Sequence, residues 1–128
     1  MNTTIYLCDK IERVNFSAVK DITDQVVTFY PGFSFSEIEN IMPATFTQDA
    51  KNTPAGLLID EKLAVNGNIN PLTNTDLTRQ PQIFRLRTSD GQIAIWGSLD
   101  NPVVYSANSR KISETKYTFL RQSTDFLF

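Results

Sequence analysis

Residues 82–98 read QIFRLRTSDGQIAIWGS, and two runs of strand-forming residues in this stretch flank the pair Asp90-Gly91. Asp-Gly between two such runs predicts a β-hairpin, because a type I′ turn needs positive φ at both central residues and glycine adopts it without steric cost. A two-residue turn there would place Leu86 across from Ile95. One face, predicted to be core, then holds Phe84, Leu86, Ile93 and Ile95, and the other holds Ile83, Arg85, Arg87, Ala94 and Trp96.

Strand-like runs also occur on both sides of this hairpin. Residues 3–8 predict a first strand, and the apolar register shifts at Asp9-Lys10, which predicts a bend or bulge before a second run to Phe16. Residues 55–65 fit one strand with a charged middle or a hairpin. We prefer the single strand, because 60–62 lacks the Gly or Asn of a tight turn. Further strands are predicted at 33–38, 44–48, 103–105 and 117–120, with a polar connection at 49–54 and a polar, flexible stretch at 107–114.

Residues 17–30 are ambiguous, because apolar residues from Val19 to Phe29 are spaced as on a helix face. The composition of 25–30, QVVTFY, is that of a strand. We therefore predict a strand over 24–30 and a loop or short turn over 17–23.

The number and length of these runs set the expected fold class. About ten short strands with turn signals between them, and at most one short helix, predict one all-β domain over 1–128, an antiparallel β-sandwich or barrel-like fold. The long polar stretch 66–81 includes a weak capping box that is compatible with a short helix at 74–79. Long loops in compact domains are often functional, so we predict a partner-contacting loop with Leu72 and Leu77 as interface candidates.

Composition argues against several classes of function. The chain has 12 basic and 14 acidic residues and no large block of one charge, so no direct nucleic-acid binding is expected. Cys8 is the only cysteine, which excludes an internal disulfide, and we predict a buried thiol. The N-terminus does not resemble a signal peptide, and no apolar stretch approaches the ~20 residues needed to span a bilayer. We therefore expect a soluble product made in the cytoplasm.

No catalytic, cofactor or metal site is predicted. The chain has no histidine, which removes the commonest general base and the usual zinc sites. Carboxylate pairs could still act as acid and base, and the nearest pairs are Asp21 with Asp24 and Asp60 with Glu61. Neither pair lies in a recognisable motif, so we interpret these acids as solvated turn and strand-face residues. The five glycines are scattered at turns and form no phosphate loop.

Two surfaces remain as candidates for contacts. Arg85 would lie opposite Trp96. This pair could be a stacking platform for single-stranded nucleic acid, an intramolecular cation–π contact, or part of a protein interface. We favour the last two, since the acidic chain offers no supporting groove. Three large apolar residues, Phe126, Leu127 and Phe128, follow the polar stretch 122–125. They either complete the protein's own sheet or dock on a neighbour, and the polar spacer favours a separate anchor on another subunit.

Three segments support a resemblance: AGLLIDEKL (55–63), IFRLRTSDGQIAIWGSLDNPV (83–103) and KYTFLRQS (116–123). Together they resemble small neck and tail virion proteins of tailed phages and prophages of Bacteroidetes, over roughly the last 80 residues. The most specific feature is a strand, a D-G turn, a strand ending in Gly-Ser, and Asn-Pro.

The resemblance implies a non-enzymatic virion protein, β-sandwich-like, that acts as an adaptor, terminator or tube-associated ring subunit. Its partners would be copies of itself in a ring and neighbouring neck or tail proteins, with no membrane and no cofactor. An alternative from another class is a monomeric sugar- or peptide-binding module that uses the Arg85/Trp96 face. A third hypothesis is an enzyme that uses a carboxylate pair.

Overall fold

The computed structural model describes residues 2–38, 43–67, 80–110 and 115–128. Most of them lie in antiparallel strands, and no helix among them is long and apolar enough to cross a membrane. The main sheet curls into a half-barrel, so the prediction of an all-β, barrel-like fold is confirmed. The elements are β1 (Asn2–Asn15), a 3₁₀ turn (Phe16–Ala18), β2 (Val19–Thr23), β3 (Val26–Phe29), β4 (Ser36–Ile38), β5 (Ala44–Thr53), β6 (Gly56–Gly67), β7 (Gln82–Thr88), β8 (Ile93–Trp96), β9 (Val104–Arg110) and β10 (Thr115–Ser123).

The half-barrel has the strand order β8-β7-β1-β5-β6-β10-β9, with β4 paired to β1. The long strand β1 joins its two halves, because its first half pairs with β5 and its second half pairs with β7 and β4. Between these halves the register against β7 shifts from Cys8 to Lys10, so Asp9 is the extra residue of a β-bulge. The predicted bend at Asp9-Lys10 is therefore confirmed, and such a bulge bends and twists its strand.

The curl brings the two ends of the sheet together around the main core. Phe84 on β7 and Phe119 on β10 face each other across the inner surface, with ring centroids 4.9 Å apart. Gln82 and Val103 exchange two backbone hydrogen bonds of 2.9 Å, which link β7 to the start of β9. The buried core inside the curl consists of Cys8, Ile11, Ile38, Ala44, Phe46, Leu63, Val65, Phe84, Leu86, Trp96, Val103, Tyr117 and Phe119.

A separate two-stranded ribbon, β2–β3, covers the other face of the β7–β8 end. Its turn residues Asp24 and Gln25 both have positive φ, of 52° and 65°. The Gln25 side chain accepts the Ile95 backbone N–H at 2.7 Å and so caps the outer edge of β8. The prediction of a loop or short turn over 17–23 holds only for residues 17 and 18, which lie in the 3₁₀ turn. It is wrong for Val19–Thr23, because these residues form β2, which pairs with β3 and buries apolar side chains. The buried members of this second core are Val14, Ala18, Val19, Ile83 and Ile95.

The main hairpin forms, but its predicted register is wrong by one residue. Phe84 pairs with Trp96, and the turn has three residues rather than two. The Gly91 N–H donates to the Thr88 carbonyl at 3.0 Å, and Gly91 has a φ of 94°. In this turn positive φ is needed at the glycine alone, whereas a type I′ turn would also force Asp90 to adopt it.

The one-residue shift exchanges the two faces of β8. Trp96 and Ala94 lie inside the sheet with Phe84 and Leu86, whereas Ile93 points outward and is 63% exposed. The predicted core position of Ile93 and the predicted outer position of Trp96 are therefore both wrong.

Other boundaries differ from the predictions mainly in length. The preference for one strand over 55–65 is confirmed, and this strand continues as β6 to Gly67. The predicted connection 49–54 instead lies largely in β5, which runs to Thr53, and 107–110 belongs to β9. The predicted loop 66–81 starts later than expected, because Asn66 and Gly67 are still in β6. Its positions 68–79, including Leu72 and Leu77, lie outside the described residues.

Candidate functional site

A row of side chains crosses five strands on the outer surface of the half-barrel. Because Tyr6, Phe46 and Phe119 point into the core, their neighbours along each strand point outward. The pairing register then aligns them side by side. We call this set the outer row: Ile5, Thr47, Lys62, Leu120 and Val104.

Large apolar side chains in and beside the outer row are open to solvent. Ile5 is 63% exposed and Leu7 is 53% exposed, and Leu120 and Val104 are exposed as well. The row next to it consists of Leu7, Thr45, Ala64 and Thr118, so Lys62 is the one charged side chain in the two rows. The exposed apolar side chains form two groups on this face, Ile5 with Leu7 and Leu120 with Val104, and Thr47 and Lys62 lie between them. Exposed apolar groups on one face of a sheet are typical of a contact with another protein.

Polar side chains border the outer row on the side away from Leu7. Thr3 donates to Asp49 at 2.9 Å, and Lys51 forms an ion pair of 2.8 Å with Asp60. The Lys51 ammonium holds the pKa of the Asp60 carboxyl below its usual value. The outer row was not predicted from the sequence, although the composition of β1 indicated it. Residues 3–8 are apolar or β-branched at every position, which indicates a strand with two covered faces.

The segment 126–128 is the second feature of interest, and it packs on its own chain. The Phe128 ring lies 5.0 Å from the Tyr6 ring and 5.7 Å from the Phe46 ring, measured between centroids. Leu127 also packs against the main core, whereas Phe126 remains 48% exposed. The segment does not continue β10, as predicted, but in the isolated chain it packs in a cleft of its own half-barrel rather than on another subunit.

Gln48 holds this segment through its backbone. The Gln48 side chain is fully buried, and its Oε1 accepts the Leu127 N–H at 2.6 Å and the Phe128 N–H at 3.4 Å. The Nε2 of the same amide is buried without a hydrogen-bond partner. A buried amide with an unused donor is unusual, because such a group loses its hydration without compensation.

Glu61 is the cross-strand neighbour of Gln48 and is almost fully buried. Its Oε1 accepts the Trp96 Nε1–H at 3.1 Å and an Arg121 N–H at 3.0 Å. Burial raises the pKa of the Glu61 carboxyl, because desolvation outweighs these two donors and the Arg121 charge. The interpretation of these acids as solvated residues holds for Asp60 but is wrong for Glu61, which is buried. Adjacent residues of a strand face opposite sides of the sheet, so the two carboxyl groups do not face each other as an acid and base pair would.

Arg85 and Trp96 do not form the predicted surface. Trp96 is fully buried, and its indole N–H is used by Glu61. Arg85 instead donates twice to Glu12, at 2.9 and 2.6 Å, and its guanidinium lies 4.7 Å from the centre of the Phe35 ring. These hydrogen bonds lower the pKa of Glu12. A cation–π contact of Arg85 therefore exists, but its aromatic partner is Phe35.

Cys8 is fully buried as predicted, and burial raises its pKa to about 12. No group of three potential metal ligands occurs among the residues that the structure describes.

A surface groove of about 400 Å³ lies where β10 meets the turn before β9, between Asn101, Pro102, Val104, Leu120 and Gln122.

Comparison with known proteins assigns no family to this chain. A scan against protein-family models, a search of curated proteins and a search of solved structures all gave no match.

Proposed function

We propose that this chain is a non-enzymatic structural protein of a phage virion, placed in the head-to-tail neck or in the tail. It acts through protein–protein assembly, as an adaptor, terminator or tube-associated ring subunit that contacts copies of itself and neighbouring virion proteins. The resemblance of 55–63, 83–103 and 116–123 to such proteins motivates the proposal.

The observation that carries it is the outer row and its neighbour Leu7. A soluble monomer would place Lys, Glu or Thr at most of these positions, because each large apolar side chain left in water forgoes ~1.5–3 kcal/mol of burial. Ile5 and Leu7 on β1 and Leu120 on β10 are nevertheless exposed on the same outer face of the sheet. Covering this face with another subunit recovers that free energy, so assembly is what the surface favours.

The two alternative functions have less support. A sugar- or peptide-binding module was predicted on the Arg85/Trp96 face, but Trp96 is in the core and Arg85 is engaged with Glu12. The groove beside Asn101 is one concave surface that such a module could use. The candidate carboxylates of an enzyme are separated, because Asp60 bonds Lys51 on the outside and Glu61 bonds Trp96 on the inside.

The test measures particle mass against protein concentration for the full chain, by analytical ultracentrifugation. We expect mass to rise above that of one chain, and Ile5→Glu to lower the mass at equal concentration. Ile93→Glu is the matched control, because Ile5 and Ile93 are equally exposed, at 63%, and Ile93 lies on β8 rather than in the outer row. Equal masses for Ile5→Glu and unaltered protein would contradict an interface at the outer row, and a monomer at all concentrations would contradict self-assembly.

A further inference from the structure

We propose that residues 126–128 are exchanged between copies, so that in the assembled form the segment of one chain fills the cleft of its neighbour. The inference rests on the proposed function, because exchange requires assembly. It specifies which segment links the copies and which side chains of the neighbouring copy bind that segment.

The cleft recognises the segment in a way that does not depend on which chain supplies it. Gln48 accepts two backbone N–H groups, at 2.6 and 3.4 Å, and the rings of Tyr6 and Phe46 receive the Phe128 ring. These are the elements of peptide recognition, in which a buried polar group fixes the backbone and an apolar slot takes a side chain. The same contacts form unchanged when the segment comes from a second copy.

The fit within one chain is incomplete. The Gln48 Nε2 donor is buried without a partner, Phe126 is 48% exposed, and Leu127 and Phe128 are half-buried. A segment that enters from a neighbouring copy comes with that copy's surface, which covers Phe126. The proposal requires that the same neighbouring surface supplies an acceptor for the Gln48 donor.

The connection between β10 and the segment can open at a small cost. Residues 124 and 125 are exposed, and the Ser123 hydroxyl holds the turn through local bonds of 3.0 and 3.1 Å to Asp125. Leu127 is the fourth residue after Ser123, and an extended chain spans ~3.4 Å per residue, so an open turn lets Leu127 lie up to roughly 14 Å from Ser123. That reach suits a neighbour whose cleft lies beside the end of β10.

A complementation experiment tests the exchange with two full-length variants. Gln48→Met keeps the volume of the side chain but cannot accept the N–H groups, so this variant donates a segment and cannot receive one. The double variant Leu127→Ser, Phe128→Ser receives and cannot donate. We expect the 1:1 mixture to form larger assemblies by native mass spectrometry than either variant alone at the same total concentration, because each variant keeps the outer row but only the mixture can exchange segments. Circular dichroism of each variant verifies folding.

Peptide competition on the unaltered protein gives a second measurement that is independent of the folding of any variant. A peptide of residues 123–128, STDFLF, should lower the mass of the assemblies, and STDFSS is the control peptide. If the unaltered protein assembles but the variants do not complement and STDFLF has no effect, exchange is refuted and the proposed function stands. If the unaltered protein stays monomeric at all concentrations, the self-assembly on which exchange depends is refuted too.

Discussion

Phe84 and Phe119 touch across the inside of the half-barrel, with ring centroids 4.9 Å apart, although three strands separate β7 from β10 in the sheet. The contact is possible only because the sheet curls until its ends face each other. Trp96 extends the cluster, with its ring 5.5 Å from that of Phe84 and 5.0 Å from that of Phe46. Aromatic side chains from β5, β7, β8 and β10 therefore fix the curvature of the sheet.

Phe84→Ala should destabilise the fold by about 3–5 kcal/mol, because it removes a fully buried ring and leaves a cavity between the ends of the sheet. The measurement is urea unfolding followed by circular dichroism. Ile93→Ala is the control, since Ile93 is an exposed apolar residue on the adjoining strand and its truncation should change stability by about 0.5 kcal/mol or less. Similar losses for the two variants would contradict this account of the core.

Glu61→Gln should flatten the pH dependence of stability above pH 4.5. The ordinary pKa of this carboxyl is 4.5, and burial raises it in the folded chain. Between these two values the folded chain binds more protons than the unfolded chain, so the contribution of Glu61 to stability falls as pH rises. The melting temperature of the variant, measured across this range, should therefore lack that fall.

Glu12→Gln is the opposite case and serves as the control. Hydrogen bonds from Arg85 lower the pKa of Glu12 below 4.5 in the folded chain, so its contribution is present above pH 4.5 and is lost as pH falls through the folded pKa. This variant should lose stability at neutral pH and little in acid. The same pH profile for both variants would mean that burial does not govern the pKa of Glu61.

Gly91→Val should destabilise the protein by more than about 1 kcal/mol, because Gly91 has a φ of 94° and a β-branched residue rarely adopts it. An added Cβ at this position meets no atom within 4 Å, so the effect comes from the backbone alone. Gly91→Asn should cost less, since Asn tolerates positive φ. Thermal unfolding of both variants measures the difference, and an equal cost for Asn and Val would point to a cause other than φ.

Gln25→Ala should expose the outer edge of β8. The substitution removes the acceptor of the Ile95 N–H and should cost about 1 kcal/mol, while Ala and Gln are similarly strained at the φ of 65°. Hydrogen exchange of the Ile95 amide should accelerate, and the protein should aggregate more readily, because an uncapped edge can pair with another chain. Asp24→Ala, which alters the same turn, should leave the exchange of Ile95 unchanged.

The sequence by itself determined where most strands run, because that information is local. The shift of apolar register at Asp9 predicted the β-bulge, and the missing turn residues in 60–62 predicted that β6 is one strand. The apolar character of a free cysteine likewise predicted that Cys8 is buried. Each of these conclusions depends on a few neighbouring residues, whose steric and solvation preferences are the same in any fold.

Only the tertiary structure decided the register of the main hairpin and the side chains that meet in the core. The pair Asp90-Gly91 is compatible with a turn of two or of three residues, and the two turns differ little in local free energy. The choice between them depends on whether Trp96 or Ile93 enters the core. Trp96 enters because Glu61, 35 residues earlier in the chain, accepts its indole N–H and because Phe46 and Phe84 pack on its ring. Such partners come together only when the sheet curls, so no local pattern in the sequence encodes them.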